Sequence, residues 1–283
     1  MDAEDAREYA DELPDLRRPS IARVYDYMLG GNHNFAVDRE FAARMQERLP
    51  GVAGTFANNR AFLRRAVRYC VGEGIDQFLD IGSGIPTMGS VHEVARAIDP
   101  DVRVAYVDNE PVAVAHSEQI LAGLDGVSIS AADMRDPRAV WSAPGVADVL
   151  DLDRPVAVLM VAVLHFAGPQ DDPRGILDGY RSRLVPGSLF AISHATTDLG
   201  DPADRAAMQE GERLYRESST PLHLRDRDEL AALLSDLTLV EPGVVEMRDW
   251  RRDPGEPEAR GVGEALAVLG RVGETARPAS LRE

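Results

Sequence analysis

The sequence contains no lysine: all 31 basic residues among its 283 are arginine. That absence removes whole classes of chemistry. A Walker phosphate loop needs its Lys, a pyridoxal enzyme its Schiff-base Lys, and a protein kinase its strand Lys. The arginine bias itself fits a GC-rich genome. Cysteine is nearly absent as well. Cys70 stands alone, so no intrachain disulfide and no Cys-rich metal site can form. No H-x-x-x-H or H-x-x-E spacing supports a histidine metal site either, and none is expected. No apolar run approaches the roughly 20 residues of a membrane span. The acidic start, "MDAEDAREYADEL", is not a signal peptide, so a cytoplasmic protein without a membrane partner is expected. Positive charge is in deficit, the net charge being −17. Nucleic-acid binders need local basic surface, so no nucleic-acid partner is expected. Arg60, Arg64 and Arg68 do recur at i, i+4, i+8, a spacing that reads as a solvated helix face.

What is present suffices for one sizeable core, with 44% of residues hydrophobic. Residues 1–18 read as a mobile acidic leader. Residues 19–74 read as helices. The first covers 20–29 and stops at Gly30-Gly31, the second covers 39–49 behind Asp38, and the third covers 59–71 behind Asn58 or Asn59. From Gln77 short apolar runs alternate with helical stretches. Strands are expected at 77–81, 102–107, 127–130, 155–164 and 188–193, and near 237–247 and 264–272. Helices are expected from Ser90 to about Ile98, from Pro111 to about Ala122, from Asp172-Pro173 to about Leu184, and from Asp226 to about Leu234. Such alternation implies an open α/β sheet with helices on both faces.

In sheets of this kind ligands bind at the carboxyl ends of the strands, beside the first strand. The first strand ends in "FLDIGSGIPT", where Gly82 and Gly84 permit a tight turn and close approach of a ligand to backbone. The second ends in "YVDNEP", with Asp108 placed to accept from two ribose hydroxyls. The third gives "AADMRDP", with Asp133 available to an adenine amine and Met134 to its ring. A nicotinamide dinucleotide could use the first two, but Thr87 stands where the third glycine of G-x-G-x-x-G belongs, and Asp133 then has no task.

These three stretches resemble motifs I, II and III of class I S-adenosylmethionine-dependent methyltransferases. Together with "RPSIARVYDYMLGGNHNFAVDREFA", "NRAFLRRAVRY", "VHEVA", "LDLDRPVAVLMVAVLHF" and "ISHAT", they resemble one bacterial family, the S-adenosyl methyltransferase family, formerly a domain of unknown function. The resemblance runs from about Arg18 to Trp250. Pro86 departs from the generic G-x-G-x-G, and the stretch beyond Val272 matches nothing in the pattern. The resemblance implies a Rossmann-like sheet of seven mostly parallel strands, the last antiparallel, in a methyltransferase unit at 75–272 with a tail at 273–283. It implies S-adenosylmethionine as cofactor and S-adenosylhomocysteine as product, held by Asp80, Gly82, Ser83, Gly84, Asp108, Asn109, Asp133 and Met134.

The segment 19–74 is then expected to lie over the cleft as a lid. Tyr25, Tyr27 and Phe35 would wall off the sulfonium, and Asn32, His33 and Asn34 would meet the aminoacyl end or the acceptor. Arg60 would pair with the cofactor's carboxylate. Where an acceptor must lose a proton, His165, after the fourth strand, is the first candidate base, with His194 second and His33 third. "LHFAGPQDD" lacks the Asn/Asp-Pro-Pro-aromatic element of enzymes that methylate base amines. A small-molecule acceptor is expected, an oxygen or nitrogen of a secondary metabolite. Two other functions compete: a non-catalytic sensor or scaffold that binds the cofactor, and the nicotinamide-dependent oxidoreductase.

Overall fold

The computed structural model describes residues 17–87, 89–218, 220–256, 261–262 and 265–273. The expected leader therefore lies almost wholly outside the described residues, as does the tail beyond Gly273. Among the described residues three helices come first: α1 (Ile21–Met28), α2 (Ala36–Arg48) and α3 (Val52–Gly72). Strand and helix then alternate through β1 (Gln77–Ile81), α4 (Val91–Arg96), β2 (Arg103–Asp108), α5 (Pro111–Leu121) and β3 (Val127–Ala131). Next come α6 (Pro137–Ser142), α7 (Pro144–Ala147), β4 (Ala157–Val161), α8 (Pro173–Arg181) and β5 (Leu189–Ala195). The chain closes with α9 (Pro202–Tyr215), α10 (Arg227–Leu233), β6 (Leu237–Leu239), β7 (Val245–Glu246) and β8 (Ala265–Val272).

The strands form one sheet in the order β3-β2-β1-β4-β5-β8-β6, with the two-residue β7 also on β8. Strands β1 to β5 pair in parallel, and β8 runs antiparallel to β5, β6 and β7. This is the expected sheet, with the stretch near 237–247 split into two short strands. Side chains alternate across it. Leu79, Val158, Met160 and Ile192 pack on one face with Trp141 and Tyr180. Phe78, Tyr106, Leu159 and Ala191 pack on the other with Phe62 and Trp250. Burial on both faces is why β4 reads as an unbroken apolar run.

Three expectations shift. Helix α3 starts at Val52, so Asn58 and Asn59 lie inside it and are buried. Asn59 spends its amide on tertiary bonds, not on a cap: its Nδ2 donates to the Tyr25 hydroxyl at 2.8 Å and its Oδ1 accepts from Ser193 Oγ at 2.6 Å. The run 155–164 yields only five strand residues, because Ala162 turns to φ +58° and its N–H leaves the ladder for Ser193 Oγ at 2.9 Å. Helix α9 has no counterpart among the expected helices. It is largely polar, and it packs Leu214 into a third cluster with Val24, Phe41, Met45, Leu49 and Phe56, which knits α1, α2 and α3 together above the strand ends.

Candidate functional site

A cleft of about 550 Å³ opens at the carboxyl ends of β1 to β4, under α1 and α3. Of the expected cofactor residues, Tyr25, Arg60, Asp80, Gly82, Ser83, Gly84, Asp108, Asn109, Asp133 and Met134 all line it. The turn after β1 is shaped by its glycines. Gly82 has φ +67°, and a Cβ there would fall 2.2 Å from Val163 Cγ2. Gly84 has φ +61°, with only Ala22 Cβ, at 3.9 Å, near such an atom. The Gly82 and Ser83 N–H groups donate to Val107 O, at 2.8 and 3.1 Å, which ties this turn to the end of β2.

At that end Asp108 accepts from Gly84 N at 2.7 Å and Glu110 N at 2.9 Å. Burial raises its carboxyl above the ordinary range, and the backbone N–H bonds oppose the rise. Each carboxylate oxygen has a further lone pair for a ligand. Burial also pushes Asp80 up to about 7, with Arg60 opposing and Asp108 adding to the rise. Arg60 is buried in the same cleft, and its Nε has no partner. Its guanidinium lies 5.5 Å from the Tyr25 ring. The Arg60-Arg64-Arg68 stripe is thus no uniform solvated face. Arg68 pairs with Asp253, while Arg60 turns inward.

Asp133 is clamped by Arg135, whose Nη2 reaches Oδ2 at 2.5 Å; this bond, with the Arg135 backbone N–H and Asn109, holds the Asp133 carboxyl below its ordinary value. Two further lining residues were not legible in the sequence. Asp26 accepts from His33 N at 2.8 Å and Asn34 Nδ2 at 3.0 Å. His223 presents an Nε2 that is buried without a partner. A lone His in an irregular stretch gives no periodic signal.

Asn32 and Phe35 do not line the cleft. The polar loop after α1 instead grips its own helix and α5. Asn34 bonds to Asp26 and Gly31 O, and His33 Nδ1 meets His116 Nδ1 at 2.9 Å. Phe35 is 37% exposed and heads α2. The fastener between α1 and its neighbours is Arg23, 1% exposed. Its Nε donates to Asp38 at 2.7 Å, its Nη1 to Glu110 at 2.5 Å and its Nη2 to Arg18 O at 3.2 Å.

The two expected catalytic histidines lie elsewhere. His165 lines a second, smaller cavity beside the cleft. Its Nδ1 accepts from Ala195 N at 3.4 Å, and burial, with His194, Arg225 and His223 nearby, lowers its pKa well below the ordinary value. His194 is fully buried and lines neither cavity. Its Nδ1 donates to Ala195 O at 2.8 Å and its Nε2 accepts from Arg225 at 2.7 Å. Burial pushes it down to about 3, so it is a neutral strut with both nitrogens engaged. Among the described residues no group of three His, Cys, Asp or Glu is arranged to hold a metal ion, and no helix is long and apolar enough to cross a membrane.

The chain is similar to the crystal structure of a Thermobifida fusca YX protein described provisionally as a methyltransferase. That match has 36% identity, a TM-score of 0.84, and covers 92% of this chain and 97% of the other. It is also similar to a DUF574 family protein from Streptomyces avermitilis MA-4680, with 33% identity, a TM-score of 0.84, and coverage of 91% and 99%. No curated protein matches it. The profile of the S-adenosyl methyltransferase family matches residues 7–276. The chain belongs to the S-adenosyl methyltransferase family.

Proposed function

We propose that the protein transfers a methyl group from S-adenosylmethionine to an oxygen or nitrogen of a small molecule. The observation that carries this reading is Arg60: a buried guanidinium with an unpartnered Nε, in one cleft with Asp80 and Asp108. A buried cation left so is costly unless an anionic ligand meets it. The cofactor's carboxylate fits that place, its ammonium fits Asp80, and its ribose hydroxyls fit Asp108. Asp133 and Met134 then face the adenine. Six lining carboxylates (Asp26, Asp80, Asp108, Glu110, Asp133, Asp171) against four arginines (Arg18, Arg23, Arg60, Arg135) suit a ligand of net positive charge.

When bound, the cofactor supplies an electrophilic methyl on a positively charged sulfur, which keeps the bonding pair as a neutral thioether once the methyl has left. The chain's own part is alignment and exclusion of water, which in well-oriented reactions is worth about 7–11 kcal/mol. Residues 19–74 serve as the lid and 75–272 as the cofactor-binding unit. Tyr25 is the lid aromatic that reaches the cleft. For an acceptor that must lose a proton, His223 is the group placed to take it, through its unpartnered Nε2. His165 is suited to a different task. With Nδ1 accepting a backbone N–H, the neutral ring carries its hydrogen on Nε2 and donates from there. Incubation with methyl-labelled cofactor and a metabolite extract tests the reading. Labelled product from wild type, and at least tenfold less from His223→Gln at unchanged cofactor affinity, is expected. Cofactor binding without labelled product from any extract would make the protein a sensor or scaffold.

A further inference from the structure

We propose that the cavity beside the cleft is the acceptor site, and that it takes a neutral molecule whose buried part is a single aromatic ring bearing a hydroxyl or amine. The proposal rests on the reading of the cleft given above. The cavity has a volume of about 110 Å³. An apolar protein cavity of about 150 Å³ holds benzene, so this smaller space takes no more than one ring. It is joined to the cleft: Ile21, Tyr25, Asn59, Ala162 and Phe166 line both. Ala162, with a φ of +58°, stands between the two at the tip of β4.

Charge separates the two compartments. The cleft wall carries ten acidic and basic side chains, named above. Among the described residues, the cavity wall carries none, and is built from groups such as Met45, Val52, Phe56, Met208 and Leu222. Its polar atoms are largely spent on one another. Ala162 N–H donates to Ser193 Oγ, Ser193 to Asn59 Oδ1, Asn59 Nδ2 to the Tyr25 hydroxyl, and that hydroxyl to Phe56 O at 3.4 Å. Thr55 Oγ1 donates to Val262 O at 2.8 Å. No charged group there compensates a buried charge, so a carboxylate or ammonium on the ring would exchange its hydration for at most one neutral hydrogen bond. What the wall offers is the Nε2–H of His165, a neutral donor suited to a phenolic oxygen or an aniline nitrogen. In the transfer, the acceptor's O–C or N–C bond forms as the methyl–sulfur bond breaks, and the acceptor's proton passes to His223 Nε2.

Methionines report on each compartment separately. Met45, Met208 and Met247 line the cavity, and Met134 lines the cleft. The test is a methyl spectrum of the full chain labelled at methionine, titrated with phenol, aniline, benzoate and benzylamine, with and without S-adenosylhomocysteine. Phenol and aniline at about 10 mM should shift Met45, Met208 and Met247, with benzoate and benzylamine at least about 100-fold weaker. Gly211→Leu should fill the cavity, since a Cβ there meets only Leu49 Cδ1, at 3.7 Å. It should abolish the phenol shifts and keep the Met134 shift caused by S-adenosylhomocysteine. Ala207→Leu, in the same wall, should do the same if the first variant does not fold. Phenol that leaves all three methionines unmoved, or benzoate that binds as well as phenol, overturns the proposal. An unmoved Met134 on S-adenosylhomocysteine addition overturns the reading of the cleft instead, and the phenol titration still judges the cavity on its own.

Discussion

Asp80 ionises where ionisation is costly, and that makes cofactor binding pH-dependent. In the free protein burial holds its carboxyl at about 7. An ammonium placed beside it favours the charged form and lowers that value. Between the bound and free values the complex holds fewer protons than the free protein, so binding releases a proton and weakens as pH falls. Affinity for S-adenosylhomocysteine should drop up to about tenfold per pH unit below 7 and level off above it. Titration calorimetry in buffers of different ionisation heat reads the released proton, and Asp80→Asn should abolish both the release and the slope. A flat profile in wild type would remove Asp80 from the ammonium site. The acids at strand ends were visible in the sequence because they stand where the strand pattern stops. Arg60 was visible by its place at a helix preceding the first strand, but its missing partner was not, since burial is a tertiary fact. Asp26 and His223 left no trace, being a helix acid and a loop histidine like many others.

Among the elements, α1 is fastened by an arginine that no spacing or periodicity singles out. Arg23 reaches Asp38 of α2 and Glu110 at the head of α5, both far along the chain. Removing the cation strands two carboxylates in a buried place, a loss of about 3–5 kcal/mol for such pairs. Arg23→Met should therefore speed hydrogen exchange across 20–38 and weaken S-adenosylhomocysteine binding at least tenfold, with β1 to β5 still protected. Slow, unaltered exchange there would mean that the apolar cluster alone holds the lid. A second latch is His33 on His116. Partial burial lowers the His116 pKa, with His33 and Arg23 adding and Asp26 opposing. A histidine depressed in the closed state takes its proton more readily when the loop opens. The latch thus contributes fully above the ordinary histidine value of about 6.5 and is lost as pH falls below it. Exchange at 30–35, corrected for its intrinsic pH dependence, should quicken between about pH 7 and pH 5.5 in wild type and not in His116→Asn. Helix positions were legible here because Gly30-Gly31 and Pro50-Gly51 punctuate them. What the polar loop does was not, because its partners Asp26 and His116 meet it only in the folded chain.

The whole molecule shows what the absence of lysine means in practice. Buried cations are arginines that use a planar fork. Arg65, 4% exposed, donates from Nε to Trp250 O at 2.8 Å, from Nη2 to Met247 O at 2.7 Å and from Nη1 to Glu256 at 2.7 Å. This ties α3 to the segment after β7, across the back of the sheet. An ammonium cannot reach three such places, so Arg65→Lys should cost about 2–4 kcal/mol in denaturant unfolding, against under 1 kcal/mol for the exposed Arg44→Lys. The alternation of strand and helix made the open α/β sheet legible, and the family resemblance supplied its reversed last strand. It could not reveal α9, whose polar surface hides the few side chains that roof the second cavity. The proposed function stands or falls with the cofactor's carboxylate meeting Arg60 in the cleft. Titration calorimetry of wild type and Arg60→Ala with S-adenosylhomocysteine and with methylthioadenosine, which lacks the aminoacyl end, tests it most directly. Arg60→Ala should weaken S-adenosylhomocysteine by about 10- to 150-fold, the worth of one charged hydrogen bond, and leave methylthioadenosine unchanged. Equal weakening of both ligands, or no binding of S-adenosylhomocysteine to wild type, would contradict it.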